Sequence, residues 1–233
     1  PLVAFDFDEL LQHIPELKIL DCDISTYSFE RPIDSSSIRI EEWVELASVI
    51  EDNYDAYDGF VVLHGSDTMS FTASAMSFML ENLAKPIIFT GSQLPIGDLR
   101  TDAKENLITS IHLASLLENG KPKIKEVCLY FEYKLLRGNR TSKVHSEDFE
   151  AFKSYNYPAL ATSGMHLLIN DSKLWPAPKS NTPLIVHKNL ESDVLILKMF
   201  PGISRDVIKH IFSYPKLKGV VLETYGSGNL TDE

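Results

Sequence analysis

Five short apolar runs punctuate this chain, and amphipathic stretches separate them. Gly59-Phe60-Val61-Val62-Leu63-His64, Ile87-Ile88-Phe89-Thr90-Gly91 and residues 126–131 are continuous and rich in β-branched and aromatic side chains. That pattern predicts strands buried on both faces. Between them, residues 69–83 set Ala73, Met76, Leu80 and Leu83 on one stripe, and residues 102–117 repeat Leu107, Ile111, Ala114 and Leu117 at helical spacing. Lys85-Pro86 stops the first of these helices, and a further helix is expected over residues 41–50. The strand–helix–strand–helix–strand order predicts parallel strands joined by right-handed crossovers.

A second α/β unit begins near residue 190, with a strand at 194–197, a break at Pro201-Gly202, a helix over 204–212 and a strand at 219–222. The polar, proline-bearing stretch from Trp175 to Asn181 reads as the linker. The expected division is therefore an N-terminal domain over residues 1–180, with the linker and the beginning of a C-terminal domain over 181–233. Two strands and one helix are too few to cover both faces of a parallel sheet. The chain also opens at Pro1-Leu2-Val3 without a methionine. Both ends are thus expected to continue in a longer protein. Ligands of open parallel sheets bind beyond the carboxyl ends of the strands, which directs attention to residues 65–68, 91–93 and 225–229.

Composition narrows the function classes. The formal net charge of −11 argues against a nucleic-acid partner or an anionic membrane surface, both of which need clustered Lys and Arg. Cys22 and Cys128 share no metal or redox spacing, so they read as reduced thiols. No apolar run approaches the ~18 residues of a membrane span, and no motif calls for a metal or cofactor.

Three segments carry candidate chemistry. His64-Gly65-Ser66-Asp67-Thr68-Met69 sets a hydroxyl beside a carboxylate where a strand meets a helix, whose free N–H groups suit an anion; a simple N-cap explains the same residues. Lys143, in Arg137-Gly138-Asn139-Arg140-Thr141-Ser142-Lys143, could activate a hydroxyl if buried beside one, or be a solvated lysine in a basic loop whose Arg137 and Arg140 form a surface patch. Asp34-Ser35-Ser36-Ser37 is either a polar turn or a ligand loop. A Ser66–His64 pairing is disfavoured, because neighbouring strand residues point to opposite faces.

Taken in order, 58–69, 77–83, 85–93, 137–143 and Tyr225-Gly226-Ser227-Gly228-Asn229 resemble the bacterial type I L-asparaginases over nearly the whole chain. The resemblance implies a flavodoxin-like α/β fold with helices on both faces of a parallel sheet, plus a smaller C-terminal α/β domain. It implies hydrolysis of L-asparagine by double displacement, without cofactor or metal, in a cytoplasmic homodimer or homotetramer. The family's attacking threonine lies in a Thr-Gly-Gly-Thr segment absent from this sequence. A second hydroxyl, a lysine and an aspartate assist it, and these fall on Ser66, Lys143 and Asp67. Asp67 also receives the substrate ammonium beside Gly65 and Ser66. Asp34, Ser35 and Ser36 match the segment holding the α-carboxylate, Ser92 a residue at the amide end, and Asn229 a residue offered across the dimer. Serine replaces the usual threonine at 66. Glu223 stands where some type I enzymes carry an effector-binding arginine, which implies weak or absent asparagine allostery. The alternatives are the asparaginase-like subunit of a tRNA-dependent amidotransferase, and an inactive fragment that binds acidic amino acids.

Overall fold

The computed structural model describes residues 10, 12–179 and 182–230. The Pro1-Leu2-Val3 opening, the Ser180-Asn181 end of the expected linker and Glu233 lie outside them. The chain divides into two compact units, Pro1–Lys188 and Asn189–Glu233. The division falls after the linker stretch because Ile185–Val186 still pairs, antiparallel, with Leu80–Glu81 of the first unit.

The first unit is built on a six-stranded sheet. Its strands are β1 (Phe60–Leu63), β2 (Ile87–Thr90), β3 (Val127–Phe131), β4 (Lys134–Arg137), β5 (Ala161–Ser163) and β6 (Leu167–Ile169), side by side in that order. β1, β2 and β3 are parallel, as the alternation of elements predicts. β4, β5 and β6 continue the sheet antiparallel, which makes it mixed rather than wholly parallel. The reversal occurs in a tight turn where Glu132 and Tyr133 both take positive φ, 43° and 63°. Two such residues in succession suit the right-handed twist of a hairpin, although neither is a usual turn former.

Helices α1 (Ile40–Asn53), α2 (Met69–Met79) and α3 (Ala103–Ser115) flank the sheet. Strand alternation sorts the core into two layers. Ile88, Cys128, Tyr130 and Leu135 pack with Leu113 and Ala114 of α3. The alternate residues Ile87, Phe89 and Leu129 are fully buried toward the other face, and α2, which packs on β2 and β3, contributes buried Met69, Ala73 and Met76. Each such side chain withdrawn from water contributes roughly 1.5–3 kcal/mol.

Three expectations need correction. β1 lies at the edge of the described sheet and is only partly buried, with Leu63 53% exposed, so it is not covered on both faces. α2 stops at Met79 rather than 83, because Leu80–Glu81 turns to pair with Ile185–Val186 and Asn82 enters positive φ at 64°. On α3 the buried stripe includes polar Asn106 and Ser110, whereas Leu117 lies beyond the helix and is exposed.

The second unit holds β7 (Val194–Lys198) and β8 (Gly219–Glu223), paired in parallel, with helix α4 (Arg205–Phe212) between them in sequence. Ser204 caps α4 by accepting from the Asp206 N–H.

Candidate active site

β1 ends where its neighbour's backbone can hold the following turn: the His64 N–H donates to the Thr90 carbonyl at 2.9 Å. The imidazole of His64 then turns away from Ser66. Its Nδ1 contacts the Gly65 carbonyl at 2.7 Å and its Nε2 the Thr72 hydroxyl at 2.9 Å. The Trp43 indole N–H also donates to that hydroxyl, at 3.0 Å. With its oxygen accepting from Trp43, the Thr72 hydroxyl donates to Nε2, which leaves Nδ1 as the protonated nitrogen, donating to Gly65. Burial pulls the His64 pKa below its ordinary value, while the bond to Gly65 pulls it back. A neutral, structural histidine results, and no serine–histidine pair forms.

Gly65 needs its missing side chain. A Cβ there would lie 2.8 Å from the Ser35 Cβ and closer still to the Ser35 hydroxyl. The two loops therefore touch. The Thr68 hydroxyl joins them again by donating to the Ser35 carbonyl at 2.7 Å. Ser35 itself is buried and begins a short 3-10 turn, Ser35–Ser37, capped by Asp34. The Ser36 N–H and hydroxyl both donate to the Asp34 carboxylate, at 2.9 and 2.8 Å, and hold its pKa below the usual carboxylate range.

Lys143 reaches this turn from 77 positions away in sequence. It lies on the short strand Ser142–Lys143, paired antiparallel with Phe152–Lys153. Its ammonium donates to the Ser66 hydroxyl at 2.9 Å and to the Asp67 carboxylate at 2.7 Å. The lysine side chain is 15% exposed, whereas Asp67 is 61% exposed and keeps acceptor capacity open. The structure thus brings Ser66, Asp67 and Lys143 into one hydrogen-bonded group, with Gly65 and Ser35 directly behind it. An open cleft of about 640 Å³ adjoins the group, lined by Asp67, Ser70, Phe71, Thr141 and Lys143 among others.

Ser92 follows β2. The preceding Gly91 abuts the His64 carbonyl and leaves no room for a Cβ, so Ser92 enters beside the same turn. Asn229 belongs to the second unit. There the Tyr225 N–H donates to the Asn229 carbonyl at 3.1 Å, and Gly228 takes φ of 82° to close the turn.

One basic residue departs from expectation. Arg137 is buried rather than part of a surface patch. Its guanidinium grips Glu126 at 2.5 and 3.2 Å, donates to the Lys173 carbonyl at 2.8 Å, and lies over the Tyr157 and Trp175 rings. Sequence reasoning missed this clasp, and also Asp102 and Asn106, whose carboxylate and amide hold the loop carrying Ser92. No local pattern marks either. Among the described residues, no group of three or more His, Cys, Asp or Glu is placed to hold a metal ion. No helix among them is long and apolar enough to cross a membrane.

A family model described as the N-terminal domain of asparaginase matches residues 2–174. The chain belongs to the asparaginase family. Its relatives in that family include L-asparaginase 1 of Escherichia coli strain K12, 42% identical over 217 residues, which are 93% of this chain and 61% of that protein. The 60 kDa lysophospholipase of Mus musculus is 50% identical over 196 residues, 84% of this chain and 34% of that protein. A glutamyl-tRNA(Gln) amidotransferase subunit of Methanosphaera stadtmanae is 32% identical over 239 residues, 99% of this chain and 52% of that protein. The crystal structure of L-asparaginase I from Vibrio cholerae matches with a TM-score of 0.89 at 37% identity, covering 100% of this chain and 69% of that one. The chain spans between about a third and three fifths of the length of these curated relatives.

Proposed function

We propose that this asparaginase-family chain carries the catalytic unit of an L-asparaginase, which hydrolyses the side-chain amide of L-asparagine to L-aspartate and ammonia. The supporting observation is the Lys143 ammonium held on Ser66 and Asp67 at 2.9 and 2.7 Å. A hydroxyl is a weak nucleophile and a weak proton carrier until a base lies within about 2.6–3.2 Å. Lys143 meets that distance from Ser66.

In the family's double displacement, a threonine oxygen bonds to the amide carbon and its proton passes to the hydroxyl–lysine relay. The carbon–nitrogen bond then breaks, and the nitrogen leaves as ammonia with a proton returned from that relay. Water next attacks the ester, and breaking the carbon–oxygen bond restores the hydroxyl and releases aspartate. Ser66 and Lys143 are proposed as the relay. Asp67, with open acceptor capacity, receives the substrate's α-ammonium in a charge-assisted bond. The Asp34 carboxylate is already engaged by Ser36, so holding the α-carboxylate falls to the Ser35 hydroxyl and neighbouring N–H groups, with Asp34 and Ser36 shaping the turn. Gly65 permits the approach of the two loops, and Ser92 lines the amide end. Asn229 is proposed to serve a neighbouring protomer in a cytoplasmic homodimer or tetramer, which rests on the type I resemblance. Glu223 ends β8 with its carboxylate 3.8 Å from the Lys198 amine. A carboxylate there opposes an effector's carboxylate, so the rate is expected to rise hyperbolically with asparagine.

The amidotransferase reading is weaker, because the net charge of −11 ill suits a tRNA partner. For the lysophospholipase relative's substrate class, a cleft lined by Ser70, Ser74, Thr141 and Ser142 favours a charged amino-acid amide over an acyl chain. The test presents the full-length protein with L-asparagine, L-glutamine and lysophosphatidylcholine. Ammonia from asparagine at the highest kcat/KM supports the proposal. Glutamine turnover that requires a second protein, or fatty-acid release without ammonia, would reject it.

A further inference from the structure

The loop after β2 is held in an uneven way. Asp102 occupies the N-cap position of α3, yet its side chain makes no bond to its own helix's N–H groups. Its carboxylate instead accepts from the Gln93 N–H with both oxygens at 3.0 Å and from the Leu94 N–H at 3.1 Å. One turn further along α3, the Asn106 amide donates to the Gly91 carbonyl at 2.9 Å and to Asp102 at 3.1 Å, and its oxygen accepts from the Glu132 N–H at 3.1 Å. Asn106 is 1% exposed, so it is a buried polar group satisfied on both ends. The Thr101 hydroxyl closes the set by donating to the Leu94 carbonyl at 3.0 Å. Gly91, Gln93 and Leu94 are thus each gripped from α3 or the residue before it, while Ser92 between them makes no hydrogen bond among the described residues. On its other side the loop abuts the turn that carries Ser66, through the contact of Gly91 with the His64 carbonyl.

We propose that Asp102 and Asn106 are positioning residues: a carboxylate–carboxamide clamp at the start of α3 that fixes the loop on both sides of Ser92 and presents its free hydroxyl and N–H to the amide end of the substrate. This inference rests on the asparaginase reading of the site. It follows from an ordinary property of such groups. A loop residue can hold a reacting group within a fraction of an ångström only if its neighbours' backbone is pinned. A charge-assisted carboxylate accepting several N–H groups is a stiff pin.

The test is a double-mutant cycle on the full-length enzyme with L-asparagine, using Asp102→Asn, Ser92→Ala and both together. Asp102→Asn keeps the shape but removes the charge and leaves one oxygen where two accepted. If the clamp acts through Ser92, Asp102→Asn lowers kcat/KM by about tenfold or more, mainly in kcat. The double variant is then no slower than Ser92→Ala alone. Losses that simply multiply would overturn the proposal, because they mean that Asp102 supports the fold without acting through Ser92. A parental rate in Asp102→Asn would overturn it too. An inactive parent enzyme would instead reject the asparaginase reading itself, so the two failures are distinguishable. If Asp102→Asn does not fold, Thr101→Val releases the Leu94 end of the same loop, and the cycle with Ser92→Ala is read identically.

Discussion

Changing Glu126 to Gln should destabilise the first unit severely, and the packing around that carboxylate sets the size of the effect. The Arg137 guanidinium and the Glu126 carboxylate are 9% and 8% exposed and face each other at 2.5 Å. Removing one charge leaves the other buried without compensation, which costs about 3–5 kcal/mol in comparable buried pairs. That is a large share of the roughly 5–15 kcal/mol that holds an ordinary domain together. For a unit of this size each kcal/mol moves Tm by about 2–4 °C, so the expected fall is roughly 6–20 °C. Gln preserves the oxygen that accepts the Trp175 N–H at 2.6 Å, so the loss reports the charge and not that second bond. Adding Arg137→Met to Glu126→Gln removes the stranded cation. The double variant forfeits the bond to the Lys173 carbonyl and the aromatic contacts at 4.1 and 5.0 Å, the latter contributing about 0.5–2 kcal/mol. It should still recover about half of the lost stability or more. Thermal unfolding followed by circular dichroism gives both numbers, and the fluorescence of Trp175 reports the loosening locally. A single variant within about 1 kcal/mol of the parent, or a double variant no more stable than the single, would refute the reasoning.

Two further outcomes follow from the site's supports. Because burial lowers the His64 pKa, the folded state disfavours the imidazolium, so its contribution is complete above about pH 6.5 and is lost as pH falls below that value toward the folded pKa. Urea unfolding at about pH 7.5 and about pH 5.5, on either side of that value, should show the decline, and His64→Gln should flatten this part of it. Gly65→Ala should drive a methyl into Ser35, at a cost of about 1–3 kcal/mol; with the Ser35 loop displaced, KM for asparagine should rise, and an unchanged KM with unchanged stability would contradict the packing described.

The parts of this molecule legible in sequence are those that depend on local pattern. β1, β2 and β3 and the helices between them follow from apolar runs and from periodicity, and their ends agree to within a few residues except at α2. The apolar stripe overextends that helix because Leu80 and Leu83 continue it, while the pairing of Leu80–Glu81 with Ile185–Val186 joins segments far apart in the chain and leaves no local mark. The antiparallel half of the sheet is hidden for a related reason: Glu132 and Tyr133 turn the chain without the Gly, Asn or Asp that usually signals a hairpin. At the site, residue types alone leave Lys143 as a solvated lysine and Ser66 as a helix cap. Only the order of several motifs joins them, and only the fold supplies the 2.9 Å between them. The roles of Arg137 and Asp102 are illegible because a charged residue in a polar loop looks alike whether it faces water or a buried partner.

The central claim is that Lys143, held on Ser66 and Asp67, moves the proton that makes asparagine hydrolysis possible. Its most direct test is single-turnover ammonia release by the full-length Lys143→Met variant beside its parent, at saturating asparagine. Methionine keeps much of the length and packing of the side chain and removes the amine. The expected result is a loss of about 10²–10⁴ in rate with the fold intact; a variant that turns over asparagine within a fewfold of the parent would contradict it.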